Sequence, residues 1–295
     1  MNRYVLGPIS FGSLTPTVIW QVQNVRVNPG IERLVQGAQS VDTAFAAAIK
    51  QLPMLSFDSH AIAAMLGVVG FGGANVDQVD VYFRQMEHGG MVAAGAKHLK
   101  VTLYDTLSLL RRISANQWAE ATSSYDVIGT YDGTNVPIAV TANQALPAYD
   151  AAKIEKFTVG PGALNSVDID NIQSLEVDTG IREIADGQDG GLYARFAAIH
   201  ERQPTIRATT FDASALSTVG VGGASKDNAI FFLRGLTQKG QPAADTSAAH
   251  VKIAAVDSHV VVTDMGDVTT IEARPVWDGT NDLLSFTTAQ KIAEA

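Results

Sequence analysis

The sequence predicts a mainly β protein made of two homologous β-sandwich or β-barrel domains, each with a short flanking α-helix. Three observations support this prediction. A series of segments occurs twice, in the same order, along the 295 residues. Runs of β-branched and aromatic residues alternate with turn residues, as in strands joined by short connections. Hydrophobic residues make up 46% of the chain and charged residues 17%, which is enough apolar material for packed cores.

The repeat is the strongest of these observations. YDGTNVPIAVTANQ in the first half of the chain matches WDGTNDLLSFTTAQ in the second, and VQNVRVNPGIERLVQG matches IQSLEVDTGIREIADG. Because the matches keep one order along nearly the whole chain, they indicate a tandem duplication. The predicted domains are 1–150 and 151–295, and the short joint between them favours two rigidly coupled domains. The matched segments are 22–37 with 172–187, 69–85 with 219–235, and 131–144 with 277–290.

The first domain opens with strands. Thr17–Val27 is rich in β-branched and aromatic residues and is followed by Asn-Pro-Gly, so it predicts a strand that ends in a turn. Residues 41–57 alternate apolar and small polar side chains and predict extended structure interrupted near Pro53. Further strands are predicted over Val79–Met86 and Leu99–Tyr104.

A short helix is predicted over His60–Gly67, with Asp58 or Ser59 as its N-cap. The glycines at 70–73 are expected to end it. The second domain follows the same plan, with its helix near Ala213–Val219. Its strands are predicted over Asn171–Val177, Leu192–Thr210, Ala229–Leu236, His250–Val256, His259–Thr263, Thr269–Val276 and Leu283–Thr287.

Two kinds of connection stand out. Residues Asn28–Ser40 and Asp178–Gly190 are predicted as equivalent long polar loops, and long loops in compact β domains are usually functional or mobile. Each DGTN segment is predicted as a β-hairpin with a type I′ turn, because Asp-Gly suits its positive φ angles. Tyr131 and Trp277 are predicted to pack beside these turns. The turn residues are Asp132, Gly133, Asp278 and Gly279.

Several kinds of chemistry find no support in the sequence. The chain has no cysteine, which excludes disulfides, thiolate metal sites and cysteine nucleophiles. The clusters GFGGA and GVGGA lack the Lys-Ser/Thr of a phosphate-binding loop and are interpreted as turns. The six histidines show no zinc spacing, and His98 and His250 hold equivalent places that indicate a shared packing role. No G-x-S-x-G elbow is present. We therefore expect no enzyme activity, no cofactor and no bound metal, although a carboxylate pair formed by folding stays open.

Charge argues against tight nucleic-acid binding. The net charge is −9, divided as −2 over residues 1–150 and −7 over 151–295, and DNA-binding surfaces are normally basic. Arg111-Arg112 is the one adjacent basic pair, interpreted either as a DNA contact or as a solvated strand or helix end. No apolar stretch approaches the ~18 residues of a membrane span, and the N-terminus does not resemble a signal peptide. A soluble protein assembled inside the cell is expected.

The order of these segments resembles the tail-tube fold of bacteriophages, which major tail proteins and tail-hub proteins share. The resemblance covers both repeats: a strand, a long loop, a strand, a helix that begins after SFD or TFD, a glycine-rich stop, more strands and a closing DGTN segment. It implies that three copies of the two-domain chain form a pseudo-hexameric ring. It also implies that rings stack into a hollow tail tube through which DNA passes in the virion, after assembly in the host cytoplasm.

The resemblance further implies which segments bridge successive rings. These are the two long loops and the terminal arms Met1–Pro16 and Thr287–Ala295. Other tail proteins, namely the terminator, hub and tape measure, are implied as partners at the tube ends and in the lumen. An acidic lumen would repel DNA phosphates, and its carboxylates are expected from the second domain. The candidate inter-ring residues are Asn28, Glu32, Arg33, Gln36, Asp178, Arg182, Glu183, Asp186 and Asp189.

Other interpretations stay open. A hub or baseplate protein of the same fold would form single rings. A DNA sliding clamp is also a pseudo-sixfold ring, but its hole is lined by basic helices that are not evident here. A tandem jelly-roll capsid protein would need about eight strands per unit. An enzyme whose site the sequence does not reveal is the last alternative.

Overall fold

The structure is a computed structural model and confirms a mainly β protein. It describes residues 3–12, 18–37, 43–87, 90–150, 154–187, 190–212, 219, 223–225 and 228–292. The strands in the N-terminal half are β1 (Arg3–Phe11), β2 (Val18–Ile19), β3 (Val22–Asn28), β4 (Ile31–Gly37), β5 (Thr43–Gln51), β6 (Met54–Ser59), β7 (Ala74–Met86), β8 (His98–Asn116), β9 (Thr122–Gly129) and β10 (Ile138–Gln144). Helix α1 (Ile62–Val68) lies between β6 and β7.

The C-terminal half adds twelve strands over the described residues. They are β11 (Phe157–Leu164), β12 (Val167–Ile169), β13 (Ile172–Asp178), β14 (Arg182–Gly187), β15 (Ala194–Glu201), β16 (Thr205–Thr210), β17 (Ala224–Ser225), β18 (Ala229–Gly235), β19 (His250–Ala255), β20 (Ser258–Met265), β21 (Thr269–Pro275) and β22 (Ser285–Gln290).

The antiparallel pairings recur in the two halves. β1 pairs with β2 and β7, as β11 pairs with β12 and β18. β6 lies between β3 and β9, as β16 lies between β13 and β21. β10 pairs with the start of β8, as β22 pairs with β19. One difference is that β8 is a single strand of 19 residues, whereas Val256 and Asp257 separate its counterparts β19 and β20.

In the core, β1 meets β6, although the two strands are not neighbours in the sheet. Phe11 of β1 packs against Phe57 of β6 with ring centroids 6.3 Å apart, and Phe57 stacks on Tyr125 of β9 at 5.3 Å. Alternation places these side chains inward while Ser56 and Asp58 of β6 point to the other face. A single cluster of buried apolar residues runs from Ile9 in the first half to Leu284 in the second. The halves therefore share one continuous apolar core.

The segments predicted as long loops are instead β-hairpins. β4 and β5 form one two-stranded sheet and β14 and β15 another, each outside the larger sheets. The described parts of the predicted terminal arms are mostly strands, because β1 pairs with β7 and β22 with β19. The alternating residues of IERLVQG and IREIADG explain the hairpins, since alternation on two faces is the pattern of a strand.

Other predicted elements are confirmed within small shifts. The chain breaks between β5 and β6 at Leu52 and Pro53, and the strands predicted for the second half lie close to the observed ones. Helix α1 begins at Ile62, two residues after the predicted start at His60, and its N-cap is Ala61 in place of Asp58 or Ser59. The predicted second helix, 213–219, lies outside the described residues except for Val219. Within the described part of the chain, no helix combines the length and apolar character needed to cross a membrane.

Candidate assembly surface

The two halves are joined by a continuous sheet. β8 pairs along one edge with β7 and then with β13 of the C-terminal half, and along the other with β10 and then β9. The result is an eight-stranded antiparallel arrangement, β3-β6-β9-β8-β13-β16-β21-β20, in which each half supplies four strands. One face of these strands packs on the core and the other is polar, as the alternating burial shows.

At the boundary of the halves, apolar and charged contacts alternate. Val177 of β13 lies opposite Ile113 of β8, and both are fully buried. On the polar face, Arg112 Nη2 lies 3.0 Å from Glu176 Oε1, with side chains 50% and 36% exposed. The apolar pair supplies burial energy, and the half-exposed ion pair fixes which residues face each other more than it stabilises them.

The hairpin β14–β15 covers one end of this polar face. Arg111, at a register shift in β8, donates from Nε to Asp126 Oδ2 (2.6 Å) and from Nη1 to the Ile181 carbonyl (2.6 Å). Its Nη2 lies 2.7 Å from Glu183 Oε1. Burial lowers the pKa of Arg111, but its bonds to Glu183 and Asp126 outweigh burial and raise it. A small apolar cluster surrounds this contact, comprising Leu107, Leu109, Ile128 and Ile181 with Leu52, Met54, Ala197 and Ile199 against it.

Glu155, just before β11, is also held against the N-terminal half. Glu155 accepts hydrogen bonds from the backbone N–H of Ala63 (2.7 Å) and Ala64 (3.0 Å) in the first turn of α1. Gln21 donates to the Glu155 carbonyl at 2.6 Å and accepts from the Glu155 N–H at 2.7 Å. A carboxylate from the C-terminal half therefore caps a helix of the N-terminal half. Ser59 Oγ accepts from the Ala61 N–H at 3.1 Å, so the predicted cap region takes part, but Asp58 does not.

Each end of the eight-stranded arrangement has a free edge. Among the described residues, β3 pairs only with β6, and the edge of β20 that faces away from β21 is paired only with β17, at His259 and Val260. The side chains at these ends are also less covered than their counterparts at the internal boundary. Val25 and Val27 of β3 are half-buried, whereas Leu175 and Val177 of β13 are buried. Met265, at the end of β20, is 59% exposed.

The predicted inter-ring residues lie on the two hairpins and at their bases. Asn28 and Asp178 accept from the N–H of Gly30 (3.0 Å) and Gly180 (2.8 Å), so both act as turn residues. Glu183 is used inside the chain, in the contact with Arg111. Asp189 and the side chain of Gln36 lie outside the described residues. The remaining residues are Glu32, paired with Lys50 (3.6 Å); Arg182, paired with Glu201 (3.5 Å); Asp186, bonded to the Gly187 N–H (3.2 Å); and Arg33, which is exposed.

The two DGTN segments have the same conformation but are not hairpin turns. Asp132 Oδ1 accepts from the Thr134 and Asn135 N–H groups at 2.7 and 2.6 Å, and Asp278 makes the same bonds at 2.8 and 2.7 Å. The flanking strands β9 and β10 pair with β8 and not with each other, so the segment links two consecutive neighbours of one long strand. Positive φ occurs at Gly133 (95°) and Gly279 (91°), not at the aspartates, so the type I′ prediction was wrong.

The aromatic residues before DGTN differ between the halves. Tyr131 stacks on Tyr193 near the turn end of hairpin β14–β15, with centroids 5.5 Å apart, and its N–H donates to the Ala194 carbonyl (2.8 Å). Trp277 is 69% exposed, so the prediction that it packs beside its turn was wrong.

The predicted packing role of the paired histidines is confirmed. His98 and His250 are buried, and the Nδ1 of each accepts from a backbone N–H at 3.1 Å, that of Gln85 or Gly235. Within the described ranges, no group of three or more His, Asp or Glu side chains is arranged to hold a metal ion.

Sequence reasoning missed the residues that join the halves. Arg111 and Arg112 were noticed as a pair, but they lie inside β8 and face Glu183 and Glu176, so neither the DNA contact nor the strand-end interpretation describes them. No local sequence pattern indicated a role for Glu155. No protein-family profile matches the chain, and no curated protein matches it in sequence. Function is therefore argued from these contacts.

Proposed function

We propose that the chain is a virion structural protein of a tailed phage that assembles head to tail into rings, which stack to form the hollow tail tube. The observation that carries the proposal is the addition of β13 to β8. It shows one four-stranded unit extending another edge to edge, with a free edge left at each end of the pair.

A repeated edge-to-edge addition closes into a ring when the rotation from one unit to the next divides a full turn, and otherwise gives an open filament. The recurrence of the strand pairings in both halves supports a duplicated domain, so each chain would supply two ring segments. Three copies would then supply six segments. Ring closure also pairs both free edges, which removes exposed strand edges that would otherwise template aggregation.

The polar face of the eight-stranded arrangement suits a DNA channel, and we assign it to the lumen. Three of its arginines are paired with carboxylates: Arg207 and Arg274 both contact Glu272, at 2.9 and 2.7 Å, and Arg112 contacts Glu176. Burial alone would raise the pKa of Glu272, but hydrogen bonds from Arg274 and Arg207 lower it, so this carboxylate stays ionised. Paired arginines release few counterions to DNA, which favours passage over binding. The sequence led us to expect an acidic lumen. In this proposal the lumen carries charges of both signs, arranged in pairs.

The tube proposal is tested by light scattering and negative-stain microscopy of the purified chain over a range of concentrations. We expect three-copy rings that stack into hollow tubes, and no retention of double-stranded DNA at low salt. A protein that stays monomeric contradicts ring assembly. Rings that never stack contradict the tube and favour the hub interpretation, and tight DNA binding contradicts free passage and favours a clamp.

A further inference from the structure

The internal boundary between the halves indicates how one copy meets the next. The strand registers identify corresponding residues. Ser108 of β8 lies opposite Ala74 of β7, and Val260 of β20 lies opposite Ala224 of β17. Both strands then show a one-residue register shift, after Leu110 and after Val262. The corresponding residues are Arg112 with Asp264 and Ile113 with Met265.

The partner strand is matched in the same way. Arg26 of β3 lies opposite Ser56 of β6, and Glu176 of β13 lies opposite Arg207 of β16. Ser56 also pairs with β9, and Arg207 also pairs with β21. Since β9 and β21 are corresponding strands, Ser56 and Arg207 correspond as well. Arg26 therefore corresponds to Glu176, and Val27 to Val177.

The charges at these positions are exchanged between the two boundaries. Inside the chain, β8 supplies the cation and β13 the carboxylate, as Arg112 and Glu176. At the free edges, β20 carries the carboxylate Asp264 and β3 carries the cation Arg26. Both are exposed, and neither forms an ion pair with a residue in the described ranges. Because both charges are reversed, Arg26 and Asp264 would still attract each other if β3 of one copy meets β20 of another.

The apolar contact is preserved as well. Val27 is half-buried and Met265 is 59% exposed, whereas their counterparts Val177 and Ile113 are fully buried and opposite each other. Adding a second copy would cover the side chains of Val27 and Met265 further. The new ladder is shorter than the internal one, because β20 ends at Met265 and turns through residues 266–268 into β21.

The hairpins show the same contrast. Ile181 at the base of β14 is 6% exposed against the N-terminal half, whereas its counterpart Ile31 at the base of β4 is 46% exposed. Trp277, the counterpart of the docked Tyr131, is exposed beside the free edge of the C-terminal half. Hairpin β14–β15 presents Glu183 to Arg111, and hairpin β4–β5 carries Arg33 at the same place. Arg33 would repel Arg111, so hairpin β4–β5 does not fit the internal boundary.

We propose that β3 of one copy adds to the free edge of β20 in the next, with Arg26 beside Asp264 and Val27 beside Met265, while hairpin β4–β5 docks near Trp277. The partner is a second copy of this chain. The exchanged charges then favour head-to-tail contact and disfavour contact between like boundaries. This inference rests on the proposed ring assembly, and its tests distinguish a wrong interface from a wrong ring assembly.

The main test exchanges the charges. Arg26→Glu and Asp264→Arg should each raise the concentration for half-assembly about tenfold, since each puts like charges together. The double variant should return to within about threefold of the wild type. Lys239→Glu and Asp168→Arg, which make the same charge changes at exposed sites in or next to the five-stranded sheet β12-β11-β18-β19-β22, should assemble normally. Thermal unfolding of each variant checks the fold.

A second test uses the absence of cysteine in the chain. A Val27→Cys, Met265→Cys variant should form disulfides between copies on mild oxidation, because side chains opposite each other on neighbouring strands lie close to disulfide distance. On a non-reducing gel we expect dimers and trimers, and each single variant should give dimers at most. Trp277 offers a third readout, a blue shift of its emission on assembly that Trp277→Phe removes and Trp118→Phe keeps.

The outcomes distinguish the two proposals. If the wild type forms rings but the charge variants behave as their controls and the cysteines do not cross-link, this interface is wrong while ring assembly stands. If the wild type stays monomeric at all concentrations and no cross-link forms, both are wrong. Loss of assembly in the single variants with recovery in the double supports the interface.

Discussion

The internal boundary between β8 and β13 and the outer edges of β20 and β3 are formed by corresponding strands. Only at the internal boundary does each of these strands have the other as its neighbour. At the internal boundary, Ile113 and Val177 are fully buried, and Arg111 joins Asp126 to Glu183. At the outer edges, Met265 is exposed and position 263 is a threonine. The difference shows that the internal boundary, and not the outer edges, contributes to the stability of the single chain. Predictions can therefore be made in pairs, one residue at each boundary.

The largest expected difference is between Ile113→Ala and Met265→Ala. Truncating the fully buried Ile113 should lower the free energy of unfolding of the single chain by about 2–5 kcal/mol, because it leaves a cavity. Met265→Ala should change it by less than about 0.5 kcal/mol in dilute solution, since the side chain is exposed. Urea denaturation below the assembly concentration measures both. Equal losses would mean that the two boundaries do not correspond.

The next effect is that of Arg111. Arg111→Ala leaves Asp126 and Glu183 facing each other without their cation, so we expect a loss of about 2–3 kcal/mol, below the value for fully buried pairs because the side chains are partly solvated. Thr263→Ala, at the corresponding position, should be nearly neutral. Removing Glu183 as well, in Arg111→Ala, Glu183→Ala, should recover part of the loss. No recovery in this double-mutant cycle would show that repulsion is not the cause.

Glu155 gives a smaller effect with a pH signature. Glu155→Ala should cost about 1 kcal/mol through loss of the cap on α1. Burial raises the pKa of Glu155 from 4.5, and the Ala64 and Ala63 N–H groups offset this only in part. The protonated form therefore stabilises the fold at low pH, and this contribution is lost as the pH rises through the folded-state pKa. Relative to Glu155→Gln, the wild type should lose stability just above pH 4.5. Parallel curves in urea titrations would contradict this assignment.

What the sequence could predict follows the range of the interactions involved. The break at Pro53 and the strand character of most segments depend on local chemistry, and both were predictable. Strands β9 and β10 pair with β8 and not with each other, and the partners of β10 lie 35 to 46 positions upstream (Leu103 for Ile138, His98 for Gln144), so the DGTN segment alone was misleading. Arg111 and Glu155 act on residues 72 and 92 positions away, which no local pattern reveals. Hairpins β4–β5 and β14–β15 could have been predicted, because the alternation of their residues was visible in the sequence. Their polar composition favoured the prediction of a loop instead.

The smallest expected effect compares the two DGTN segments, which should respond alike because their bonds are local. Hydrogen bonds from the Asn135 side chain and from the Asn135 and Thr134 N–H groups lower the pKa of Asp132, and backbone and side-chain bonds from Asn281 with the Thr280 N–H lower that of Asp278. Ionised aspartate thus stabilises both turns above the unfolded-state pKa of 3.8, and the contribution is lost as the pH falls through the lower folded-state value. Asp132→Ala and Asp278→Ala should each lower the unfolding temperature slightly, by the same amount at pH 7. The docked Tyr131 beside one turn and the free Trp277 beside the other make this a sensitive comparison. If Asp278→Ala also weakens assembly while Asp132→Ala does not, the DGTN segment of the C-terminal half orients Trp277 toward the neighbouring copy.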